Sequence, residues 1–257
     1  MFSAMFAVVM ILLQEDSRKK PVPAVTSPRV EAILADWKKA SAQARDIRFE
    51  YEQTTEDQAF DKRETTKGKV QLSRGNVCRI DLSDEKGNPT QIILQTDKAL
   101  DWYCYDNRSV GHWPTDGARS EDMLTGVQRW VLLSAGSWAR AFLGPAPGNI
   151  GSQFNVSLQK EDDYYLYLLL VPRTPEPTVF PFSIGAVNWV SIALEKKTFF
   201  VRQVVSEQGN GTKNTCLVKR VQVNVTPPIT AELVSRDLPK GFRVETLTDE
   251  SPQQKKP

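Results

Sequence analysis

A chain of 257 residues with 40% hydrophobic content is long enough to bury a sizeable core, which excludes disorder of the whole. Lys+Arg of 33 against Asp+Glu of 31 leaves a formal charge of +2 with the signs interspersed, so composition provides no basic surface for nucleic acid. With His112 as the one histidine, metal sites built from several imidazoles are excluded and a Ser/His/Asp or Cys/His system has a single candidate base.

Phe2 to Leu13 is apolar and uncharged but much shorter than the roughly 20 residues of a membrane-spanning helix, so it fits the hydrophobic region of a signal peptide. Gln14 to Ser27 is polar, basic and proline-containing, as in a linker left after export. Residues 1–27 therefore read as signal peptide and linker, and the protein as exported, periplasmic or equivalent. The first cysteine is Cys78, so none follows the apolar run to carry a lipid anchor, and the expectation is a soluble protein.

The fold is expected over residues 28–248 as a single domain. Ser27-Pro28 supplies an N-cap and a proline at the first helical position, and Val30, Ile33, Leu34, Trp37 and Ser41 recur at helical spacing. From Arg45 the period becomes two: Ile47, Phe49 and Tyr51 share one strand face, and Arg48, Glu50 and Glu52 the other. Lys62–Ser73 continues as a second strand. Gly68 to Asp106 alternates short β-patterned runs with polar turns too tight for a crossover helix, which makes an antiparallel meander.

Met123, Leu124, Val127, Val131, Trp138, Phe142 and Leu143 predict one or two short amphipathic helices ending near Gly144-Pro145. Strands resume at 153–160 and 164–171, and Pro175, Pro177 and Pro181 mark an irregular loop. Four more strands are expected at 188–194, 199–207, 214–225 and 242–247, with Gly209-Asn210-Gly211 closing a hairpin. Residues 249–257 read as a disordered tail. Many strands with helices near the start and middle predict a mainly β protein, one curved or nearly closed sheet with helices laid on or into it.

The sequence holds no Gly-x-Ser-x-Gly, no phosphate-binding glycine loop and no Cys-x-x-Cys, so catalysis would depend on carboxylates. Glu50 and Glu52 share a strand face and Asp97, Asp101 and Asp106 cluster around another, but alternation puts carboxylates on the wet face of any half-exposed sheet. Cys78, Cys104 and Cys216 are an odd number, and small buried hydrophobes is the better reading than a Cys78–Cys104 bridge. Trp102, Tyr103 and Tyr105, and the run Tyr164 to Leu170, make strands apolar on both faces. The space they enclose is either core or ligand cavity.

The order of these elements carries a resemblance. A helix is followed by a strand reading IRFEYEQ (Phe49, Gln53), a Gly-x-Val-x-Leu strand (Gly68, Val70, Leu72), an arginine-bearing strand (Arg79) and ILQTDKALDWYCYD (Asp97, Leu100, Trp102, Tyr103, Tyr105). With the ending LPKGFRVETL, the chain resembles the outer-membrane lipoprotein carrier (LolA-like) family over most of residues 29–247.

The resemblance implies an incompletely closed antiparallel β-barrel, a half-barrel with an N-terminal helix and a helical lid, which binds a lipid acyl chain or lipoprotein without catalysis or cofactor. Its partners would be that ligand and, beyond it, a membrane donor or acceptor protein, with a monomer favoured. On this basis Phe49, Tyr51, Val70, Leu72, Trp102 and Leu168 are the candidate cavity residues. Arg79 is the candidate lid latch, and no residue is a catalytic or metal-ligating candidate. Were Arg79 to point inward, Val77 would follow it and Cys78, Ile80 and Leu82 would pack outside against a helix. The alternative use of such a scaffold is a periplasmic sensor or protein-interaction module, with the Arg173–Pro181 loop and the lid region binding a protein.

Overall fold

The computed structural model describes residues 27–73, 77–114, 150–151, 154–173, 187–234, 237 and 239–246. Helix α1 (Pro28–Gln43) begins as its sequence predicts: the Ser27 hydroxyl accepts from the Val30 amide at 3.3 Å, and Pro28 opens the first turn, where its missing N–H costs no hydrogen bond. Val30, Ile33, Trp37 and Ser41 are its buried stripe. The helix passes into β1 (Asp46–Asp57) through a joint held by Asn224. The Asn224 carboxamide oxygen accepts from the Arg45 amide at 2.7 Å and its own N–H donates to the Asp46 carbonyl at 2.7 Å. Asn224 has φ 54°, a left-handed conformation that asparagine tolerates better than most residues.

The remaining strands are β2 (Lys62–Ser73), β3 (Cys78–Ser83), β4 (Pro89–Gln95), β5 (Ala99–Cys104), β6 (Ser109–Pro114), β7 (Phe154–Glu161), β8 (Tyr165–Pro172), β9 (Val187–Glu195), β10 (Val201–Gln208), β11 (Lys213–Val223) and β12 (Arg243–Thr246). They form one sheet in the order β12-β6-β5-β4-β3-β2-β1-β11-β10-β9-β8-β7. The first six strands make one antiparallel meander and β7 to β11 a second, and β1 joins the two by pairing with β2 on one side and β11 on the other. β12 pairs in parallel with β6. The two outer strands, β7 and β12, do not pair with each other, so the sheet is open.

One hydrophobic cluster takes side chains from α1 and from eleven of the twelve strands, all but β12. Laid flat at about 4.8 Å per strand, such a sheet would be roughly 50 Å wide, whereas a 16-residue helix is only about 24 Å long. α1 alone covers only part of this face, and in the open half-barrel the strands of the two meanders cover the rest from one another. The ends of α1 agree: Arg29 donates to Glu161 at the end of β7 at 3.0 Å, and the helix C-terminus leads into β1, five strands away. α1 therefore bridges one end of the half-barrel from one meander to the other.

The strands lie within two residues of their expected bounds, and the helix with its cap is as expected. A one-turn helix, α2 (Ala231–Val234), was not anticipated, because four residues show no period. It packs with Val77, Val225 and Ile229 in a small separate cluster. The helices expected over 123–143 and nearly all of the Arg173–Pro181 loop lie outside the described residues.

Two outcomes follow. An ideal Cβ on Gly68 would sit 2.0 Å from the Tyr51 ring, which lies across it from the neighbouring strand. Gly68→Ala should lower unfolding free energy by about 1–3 kcal/mol, because Tyr51 is buried and cannot swing away freely; urea denaturation measures this. Second, hydrogen bonds from Lys196 and Arg29 hold the Glu161 carboxyl below the usual glutamate value. Its tethering of α1 is thus present above the unfolded value of about 4.3 and lost as pH falls through the lower folded value. Hydrogen exchange at the first turn of α1, corrected for intrinsic rates, should accelerate as acid protonates Glu161, and Glu161→Gln should remove that dependence.

Candidate functional site

Residues directly opposite in paired strands share a face, so the register assigns every candidate to a side. Phe49 pairs with Val70, Val70 with Ile80, Ile80 with Ile93 and Ile93 with Trp102, giving one apolar row across β1 to β5. On the other meander Cys216, Val204, Ile192, Leu168 and Leu158 form a matching row from β11 to β7. Phe49 sits between Tyr51 and Phe200, with ring centroids 6.4 and 6.1 Å away. All six candidate residues, Phe49, Tyr51, Val70, Leu72, Trp102 and Leu168, fall on this concave face with α1.

They are not equally placed. Phe49, Tyr51, Val70, Leu72 and Leu168 are at most 4% exposed and pack as members of the cluster. Trp102 is half-buried, with its indole N–H donating to the Gln91 side-chain oxygen at 3.2 Å. Leu34 on α1, Trp102 on β5 and Leu158 on β7 are likewise partly exposed and border the cluster. Sequence reasoning omitted Ile93, Val190, Ile192 and Phe200 from the face, although the alternation of β4 and β9 carried the signal.

Arg79 stands on the opposite, convex face. Its register partner is Gln71, one residue out of step with Val70, and it forms a two-point ion pair with Asp81 at 2.8 Å and 2.8 Å. Its Nη1 donates to the Val234 carbonyl at 3.5 Å, so among the described residues it holds α2 rather than anything on the apolar side. The inward alternative for Arg79 is thereby corrected: Cys78, Ile80 and Leu82 point into the concave cluster and Val77 away from it. The lid segment that Arg79 was expected to latch lies outside the described residues.

A groove of about 860 Å³ crosses the convex face, lined by Glu50, Lys69, Arg79, Asp81, Tyr105 and Arg220 among others. Its charges largely answer one another: Lys219 meets Glu52 at 3.0 Å and Arg220 meets Glu50 at 3.2 Å. The candidate carboxylates are scattered. Glu50 and Glu52 are in these pairs, Asp101 bonds His112 at 2.6 Å on β5 and β6, and Asp97 and Asp106 lie in separate turns. Of the five, Glu50 and Glu52 share the groove, where each is neutralised by its own cation rather than set against the other across an apolar pocket as in a glycosidase pair.

The three thiols are unbridged. Burial pushes the Cys216 thiol and the Tyr51 phenol far up from their ordinary values, leaving both neutral, and an inert thiol is no nucleophile. Among the described residues no group of three His, Cys, Asp or Glu side chains could hold a metal ion, and no helix is long and apolar enough to cross a membrane.

No protein-family model and no curated protein matches this chain. Solved structures with a similar backbone path include an uncharacterized conserved protein from Thermus thermophilus, with TM-score 0.46 and 12% identity over 85% of this chain and 99% of that one. LprF from Mycobacterium bovis has TM-score 0.42 and 11% identity, covering 79% of this chain and 97% of its own. A LolA superfamily protein from Nitrosomonas europaea has TM-score 0.39 and 9% identity, over 80% and 97%.

The two faces should respond differently to truncation. Leu168→Ala, at a fully buried position, should cost about 2–5 kcal/mol of stability. Arg79→Ala should cost about 1 kcal/mol, since its ion pair remains partly hydrated. Chemical denaturation of both variants checks the contrast.

Proposed function

We propose that the protein is an exported, non-catalytic carrier that holds the acyl chain of a lipid or lipoprotein against the concave face of its half-barrel. One observation carries this reading: an apolar face shared by eleven strands ends at an open seam between β7 and β12. An extended acyl chain has no hydrogen bonds to satisfy and gains about 0.8 kcal/mol per buried CH₂, so a broad apolar wall is its natural host. Because among the described residues no strand pairing closes the seam, the edges can part without breaking a hydrogen-bond ladder. A closed barrel would have to open one.

The partly exposed Leu34, Trp102 and Leu158 lie on α1 and toward the two sides of that seam, where an entering chain would first meet apolar surface. The dispersed carboxylates and the neutral, buried thiol and phenol support binding without chemistry. The order of sequence motifs supports the same reading, with exchange from a membrane donor to an acceptor as the cellular role.

Protein purified from an exporting host should release fatty-acyl material on solvent extraction and mass spectrometry, at close to one chain or acylated molecule per protein. Protein stripped of lipid should take up a fluorescent fatty acid, and Leu168→Trp, which fills the wall with a larger ring, should reduce uptake at least several-fold. Absence of both bound lipid and uptake would exclude the carrier reading.

A further inference from the structure

Trp37 is 3% exposed and its ring lies in the concave cluster, yet its indole Nε1 has no hydrogen-bond partner among the described residues. An indole N–H can only donate, and more than nine in ten buried polar groups are paired, so a buried donor without an acceptor calls for an explanation. Oxygen atoms are not far to seek, since Ser41 follows one turn later on the buried stripe of α1 and Tyr51 belongs to the same cluster, yet neither accepts from this N–H. Leu34, three residues earlier on α1, is partly exposed, so the donor lies about one helical turn from the border of the apolar face.

A hydrocarbon would leave this N–H as it is. An acyl compound would not, because its carbonyl or carboxylate oxygen is an acceptor at one end of an apolar chain. We propose that the Trp37 indole is a built-in donor for the polar end of the ligand, so that the chain lies along the concave face with its carbonyl oxygen hydrogen-bonded at α1. This rests on the carrier reading above and adds to it the ligand's chemical class, an acyl compound with a carbonyl acceptor, and its direction. It also gives α1 a second role. The helix that bridges the meanders would read the head of the bound chain.

Of the two other unpaired buried polar atoms, the Arg48 Nε belongs to the convex row of Gln71 and Arg79, and the Ser206 hydroxyl oxygen lies on the same face as Trp37 but too far away to share a small headgroup. Ser206 pairs with Asn214 and Asn214 with Thr55, nine residues along β1 from the Asp46 end where α1 enters, which is about 30 Å of strand. The anchor is therefore assigned to Trp37 alone.

The test uses the full chain with three probes of equal length, dodecanoate, methyl dodecanoate and dodecane, delivered to delipidated protein. In proton–nitrogen spectra the Trp37 indole signal, recognised by its loss in Trp37→Phe, should move downfield with either oxygenated probe and not with dodecane. The probe that moves it tells a free acid from an ester as the natural source. Trp37→Phe should weaken binding of that probe about tenfold while leaving dodecane within twofold. Equal displacement of the signal by all three probes, or an equal loss of affinity for all three, would overturn the anchor and leave the carrier standing. Failure of all three to bind would remove both. Should Trp37→Phe fail to fold, the Trp37 signal among the six indoles is assigned in the native protein by its through-space contacts to α1 protons, and the same shifts are read.

Discussion

The apolar face of this sheet is wider than any single helix can cover, and most of the structure follows from that constraint. Eleven strands contribute to it, and the one long helix described spans only about half the width of the sheet laid flat. Curling resolves the mismatch, because a right-handed twist accumulated over many strands brings distant strands toward one another. The two meanders then enclose what neither could bury alone. β1 is the hinge of the arrangement, since it alone pairs across both meanders, and its length of 12 residues allows it to reach from the α1 joint to the far hairpin.

Curling divides the chemistry of the molecule between two surfaces. On the concave side polar groups are few, the phenol of Tyr51 and the thiol of Cys216 are kept neutral by burial, and glycine at position 68 makes room for an aromatic ring. The convex side carries carboxylates and cations set strand against strand, beside a smaller apolar cluster of Ile92, Leu94, Tyr103 and Val110 with Phe242 packed against it. Such ion pairs on an exposed sheet add little stability each. Charged groups thus face outward and the larger apolar surface inward. That separation suits the acyl carrier proposed above.

Much of the candidate site was legible because strand alternation is strict. Phe49, Tyr51, Val70 and Leu72 could be placed on one face from their spacing, and the helix from Ser27 onward from its cap and period. Arg79 was the hard case. The β2–β3 connection determines whether Arg79 or Ile80 meets Val70, and a shift of one residue reverses every side chain of β3. Pairing of Gln71 with Arg79 settles it, and the arginine that resembled a lid latch is found holding the one-turn helix α2 on the other side.

The sequence by itself determined which of the described segments are strands, that the two meanders run antiparallel, and where the first helix begins, but not that β12 would pair in parallel with β6. Those properties are local: they depend on side-chain period, turn length and cap chemistry, all readable within about a dozen residues. Tertiary structure alone decided that β1 pairs with β11, that the sheet remains open between β7 and β12, that Glu50 and Glu52 are each met by a cation from β11, and that the Trp37 indole is buried without an acceptor among the described residues. Each of these joins residues far apart in the chain. Their proximity is set by the burial of one shared apolar face rather than by any pattern that a single segment carries.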